Sequence, residues 1–63
     1  MMDTPKIGQT VRLNSPRSLE HGHKFEVVAT SADGKFADIQ RPGSWRVSTE
    51  PVSKLMHPDW MPN

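Results

Sequence analysis

Residues able to do chemistry are few in this chain, and their densest group is Glu20-His21-Gly22-His23. Neutral imidazole is a common metal ligand, so two of them beside a carboxylate could begin a metal site. A stable zinc site, however, takes three or four protein ligands. His57 is the remaining histidine and cysteine is absent. The group therefore reads as a solvated loop pair, and no metal or cofactor is expected. Glu26 and Asp38 fall on neighbouring predicted strands and could face each other as a carboxylate pair. Arg12 and Arg46 are expected on the outward side of their own strands. A cross-strand charge ladder is the simpler reading, at roughly 0.2–1 kcal/mol per pair. No serine lies in a nucleophile-elbow context, and no glycine-rich phosphate loop occurs. These residues point away from an enzyme.

Binding has more to stand on. Arg12, Lys24, Arg41 and Arg46 come from predicted strands or strand ends, with Phe36 expected outside or at a rim beside them. Cations neutralise phosphates and rings stack on bases, which is how small barrels hold nucleic acid. The charge balance weighs against this use: eight basic residues face seven acidic ones, scattered along the chain. A dedicated nucleic-acid binder of this size usually shows a clear basic excess. Trp60, with Met56 and Met61, forms an apolar stretch near the end. Such residues are enriched at interfaces, although docking on the chain's own barrel is the commoner outcome.

The elements that must position these groups are short. Sixty-three residues make one domain, near the lower size limit for folding alone. Disulfides are excluded by composition, so self-association is the expected support. No apolar run suits a signal peptide or a membrane span, and a cytoplasmic location is expected. Residues 1–6 read as a disordered polar tail, residues 7–56 as the barrel, and residues 57–63 as a C-terminal tail.

Val11 and Leu13 alternate with Thr10 and Arg12, the period-2 signature of a half-buried strand. Asn14 to His23 reads as a loop pinned by Leu19. Lys24 to Thr30 is the clearest strand, with Phe25, Val27 and Ala29 on one face. Asp33-Gly34 is a hairpin turn signal. The next strand runs from Lys35 to Gln40, and Ala37 and Ile39 are expected inward, because burying an unpaired Asp38 would cost several kcal/mol, roughly, by transfer estimates. Pro42-Gly43 suits a type II turn. Trp45, Arg46 and Val47 then alternate inward, outward, inward. Pro51 opens a single 3₁₀ turn carrying Val52 and Leu55. The expected core is Ile7, Val11, Leu13, Leu19, Phe25, Val27, Ala29, Ile39, Trp45, Val47, Val52 and Leu55.

Four to five short strands with one helical turn before the last resemble the SH3-like small barrels. Gly8-Gln9-Thr10-Val11-Arg12-Leu13 is similar to their first strand, and the Asp33-Gly34 hairpin and the closing Trp45-Arg46-Val47…Val52…Leu55 follow in order. The expected fold class is therefore an all-β SH3-like barrel. Within that superfamily, Pro42-Gly43-Ser44, Pro51-Val52 and Leu55 resemble the frame of the type II, plasmid-borne dihydrofolate reductases. Arg46, Val47 and Ser48 stand where that family has glutamine, isoleucine and tyrosine in its shared pore. The resemblance implies a barrel able to assemble about a symmetry axis; it does not carry the reductase chemistry with it. The expected function is a non-enzymatic binding or assembly module, acting through a protein partner or self-association. Its contact residues would be drawn from Arg12, Lys24, Phe36, Arg41, Arg46 and Trp60. A nucleic-acid-binding barrel is the alternative, and a reductase-like enzyme the more distant one.

Overall fold

In the computed structural model, which describes residues 4–62, the chain is all-β. Strand β1 spans Thr10–Leu13, β2 Lys24–Thr30, β3 Phe36–Gln40, β4 Val47–Pro51 and β5 Leu55–Met56, with a 3₁₀ turn at Val52–Lys54. They form one antiparallel sheet in the order β4-β3-β2-β1-β5. The arrangement is compatible with a small barrel wrapped around a single core.

The core is one cluster: Val11 and Leu13 from β1, Phe25 and Val27 from β2, Ala37 and Ile39 from β3, then Val52 and Leu55. Alternation puts these apolar residues of β1, β2 and β3 on one concave face. The tight turns are made as their residues suggest. Ser44 N–H donates to the Arg41 carbonyl at 3.0 Å, with Gly43 at φ 82°, a conformation glycine adopts without steric cost. At the other hairpin, the Asp33 carboxylate accepts from the Ser31 hydroxyl (2.6 Å) and from Lys35 N–H (2.9 Å). These bonds hold its carboxyl below the usual carboxylate range, the Ser31 hydroxyl contributing most.

Several expected core residues lie elsewhere. Ala29 is half-buried, because the register shifts between Val27 and Ala29 and brings Ala29 opposite Asp38. A bulge of this kind adds one residue and reverses the alternation beyond it. Leu19 is 99% exposed. Its loop is fastened instead by backbone bonds, among them Gly22 N–H to the Leu13 carbonyl at 2.7 Å. Ile7 is exposed within the turn that precedes β1, while Pro5 is buried. Of the tail read at residues 1–6, Thr4 donates its hydroxyl to the Gly34 carbonyl; residues 1–3, like Asn63, lie outside the described residues.

The largest departure concerns β4. Buried Ile39 pairs with Ser48, and buried Ala37 with Glu50. Directly opposed residues share a face, so Ser48 and Glu50 take the concave side, and Arg46 shares their phase. Trp45 and Val47 point outward, at 85% and 52% exposure. Reading the apolar residues of this strand as inward places it one residue out of phase, and one residue is enough to exchange both faces. No residue of β4 is buried.

Candidate functional site

The sequence-predicted contact residues separate into three groups. The first closes the molecule on itself. Arg12 Nε donates to the Pro58 carbonyl and Nη1 to the Gly22 carbonyl, each at 2.7 Å. A guanidinium is suited to this because its donors diverge in a rigid fork. The final segment is thereby tied to the β1–β2 loop. Trp60 meets the His21 ring edge-on at 5.7 Å, a geometry the aromatic quadrupole favours. His21 Nδ1 accepts from Ser15 N–H at 3.0 Å. A Cβ on Gly22 would come within 2.7 Å of Pro62 Cγ, so glycine lets the tail lie close. Arg12 and Trp60, both expected to contact a partner, hold the loop and the tail together.

The second group borders a cavity of about 440 Å³. Arg41, Ser44, Arg46, Ser48 and Glu20 surround a floor of Phe25 and Ile39. Arg41 Nη1 stands 3.9 Å from Glu20 Oε2, with both side chains about half exposed. A pair in that setting is worth roughly 0–1 kcal/mol, so Arg41 is only loosely held. Arg46 N–H donates to Ser44 Oγ, which fixes its backbone, while its guanidinium has no partner among the described residues. Sequence reasoning found both arginines and missed Ser44 and Ser48. The polar alternation Arg46, Ser48, Glu50 was visible; its phase relative to the core was not.

The third group is dispersed. Phe36 is 45% exposed and pairs with Pro51 at the far end of β3 from Arg41. Lys24 is exposed and lies opposite Arg12. The expected charge ladder and the Glu26–Asp38 pair are not formed: Glu26 opposes Thr10 and Gln40, while Asp38 opposes Ala29 and accepts from Thr49 Oγ1 at 2.6 Å. Among the described residues no three His, Cys, Asp or Glu side chains converge, and no helix is long and apolar enough to cross a membrane.

The outer edge of β4 is the remaining feature. Among the described residues β4 pairs with β3 alone. Val52 N–H donates to the Lys35 carbonyl, and the Phe36 carbonyl turns away to accept from Ser31 N–H. Antiparallel ladders alternate bonded and non-bonded pairs. Glu50 and Ser48 therefore bond to β3, and the backbone groups of Val47 and Thr49 face the open edge. Pro51, next in that phase, has no N–H to offer.

No protein-family model, curated protein or solved structure matches the chain.

Proposed function

We propose that the protein is a small non-enzymatic assembly module, an SH3-like barrel in the cytoplasm that works by self-association through its β4 side. The strand order β4-β3-β2-β1-β5, with a 3₁₀ turn before the last strand, supports the SH3-like reading. The cysteine-free sequence suits a reducing compartment. The observation that carries the assembly reading is that no residue of β4 is fully buried, while Val47 on it and Trp45 two residues before it stand exposed. An open edge with apolar neighbours is a template for pairing with another chain. Among the described residues the core cluster has eight side chains, small support for a lone domain. Light scattering and sedimentation across a concentration series test the reading. A dimer or larger species that dissociates on dilution is expected; a monomer up to millimolar concentration removes it.

The shared rim of Arg41 and Arg46 favours a second reading, binding of single-stranded nucleic acid. Titration with an oligonucleotide at two salt concentrations decides it, since phosphate contacts weaken steeply as salt rises. Weak, salt-insensitive binding rejects it.

A further inference from the structure

The free edge of β4 is complementary to itself in one register. An antiparallel pair of β4 edges related by a two-fold axis must join Val47 and Thr49, the residues whose backbone groups face outward. Centring the axis at Ser48 pairs Val47 of each copy with Thr49 of the other, and satisfies the N–H and carbonyl of all of them. The side chains then follow by alternation. On the concave side, Arg46 of one copy comes opposite Glu50 of the other, twice by symmetry, with the two Ser48 residues at the axis. On the outer side, Trp45 of one copy comes opposite Pro51 of the other, whose neighbour on β3 is Phe36.

Each of these matches removes a feature that is otherwise unexplained. Among the described residues the Arg46 guanidinium has no partner, and Glu50 is a half-buried carboxylate in the same phase of the chain. Trp45, Val47 and Phe36 are exposed large apolar residues on the outer face. Pro51 cannot donate, and in this register it meets Trp45, where the ladder ends. Shifting the pairing by two residues places Ser48 against Arg46 in one direction and against Glu50 in the other, and either shift loses the Arg46–Glu50 contact. An axis between residues would pair outward-facing backbone with inward-facing backbone and form no ladder.

We propose that two copies of this chain join their β4 strands antiparallel about an axis at Ser48, forming a continuous sheet with reciprocal Arg46–Glu50 ion pairs. This rests on the self-association reading and specifies its geometry.

The chain has no cysteine, so a single introduced thiol reports the register without background. Ser48 is exposed. At a non-bonded position the two Cα atoms would lie about 4.5 Å apart, within disulfide range. Ser48→Cys should oxidise to a covalent dimer in a glutathione buffer, and much faster than Leu19→Cys, which places the thiol at a fully exposed loop position. Arg46→Glu should weaken dimerisation about tenfold, since two like-charge contacts replace two attractive ones. Adding Glu50→Arg in the same chain should restore it. Amide dispersion in NMR spectra checks that every variant is folded. If wild-type protein dimerises but Ser48→Cys cross-links no faster than Leu19→Cys, or the double charge swap fails to restore affinity, this register is wrong and the assembly reading survives. If wild-type protein is monomeric throughout, both are overturned.

Discussion

Arg12 and Arg46 belong to opposite regions of one sheet. Arg12, on β1, directs its guanidinium at two carbonyls of its own chain and draws the loop and the tail together. Arg46, immediately before β4, borders a cavity and, among the described residues, is fixed only through its backbone. The same contrast runs through their neighbours. Around β1, Trp60 rests on His21 and Pro62 lies over Gly22. Around β4, Trp45 and Val47 stand in solvent and, among the described residues, the edge has unpaired backbone groups. One region has turned its polar and aromatic groups inward on the chain, while the other presents the same residue types to whatever comes next. Residue type therefore does not separate a structural group from a contact group; the partner that each group has found does.

The sharpest way to break the contrast is a pair of apolar truncations on adjacent strands. Ile39→Ala on β3 removes a side chain that is 1% exposed and should lower stability by about 2–5 kcal/mol. In a domain this small, that is much of the total. Val47→Ala, on the strand beside it, should change the stability of the monomer by less than about 0.5 kcal/mol, while weakening any dimer. Urea denaturation at dilute protein concentration measures both. A cost for Val47→Ala comparable with that for Ile39→Ala would mean that β4 contributes to the core after all.

The sequence makes the first of these regions easier to read than the second. Strands β1 to β3 announce themselves by alternation and by the Asp33-Gly34 and Pro42-Gly43 turns, and their inward residues Val11, Leu13, Phe25, Val27, Ala37 and Ile39 are the ones that are buried. The rule behind that reading is that apolar residues face the core. On β4 the rule inverts, because Trp45 and Val47 share the outward phase, and period-2 alternation gives no sign of which phase is inward. Ala29 misleads for a related reason: the bulge falls in the apolar run Val27-Val28-Ala29, where alternation no longer tells one face from the other. Arg12 shows a different limit. Its acceptor on Pro58 lies 46 positions away in the chain, and no local pattern links the two. Distant polar partners become visible only once the sheet has brought β1 and the tail together.

A second prediction tests the two arginines directly. Arg12→Ala leaves the Pro58 and Gly22 carbonyls without their charged donor. Hydrogen bonds of this class contribute about 1.5–3 kcal/mol when charged and buried, and partial exposure here puts the net loss near the lower end, about 2 kcal/mol. In a domain of this size that lowers the melting temperature by roughly 10 °C. Arg46→Ala should leave the thermal stability of the monomer within about 0.5 kcal/mol of wild type. Calorimetry at low concentration reads both, and proteolysis near Pro58 should accelerate in Arg12→Ala alone. Equal losses from the two substitutions would erase the distinction between a closed side and an open one.

The smallest effect is expected at Asp33, where a surface turn is internally satisfied although fully solvated. The Ser31 hydroxyl and the Lys35 N–H favour the carboxylate and lower its pKa in the folded chain from the ordinary 3.8. A carboxyl depressed by folding stabilises the folded state above its unfolded pKa, and that contribution fades as pH falls through the folded value. The wild-type chain should therefore exceed Asp33→Asn in melting temperature at neutral pH. The gap should narrow once the pH drops below about 4, where the unfolded carboxyl begins to bind its proton. Melting curves from pH 7 down to pH 2 measure the difference. A gap that stays constant would assign the effect of Asp33 to shape and neutral hydrogen bonding. A gap that closes would assign it to charge, and would show that self-satisfaction of polar groups extends from the β1 side to the far end of the β2–β3 hairpin.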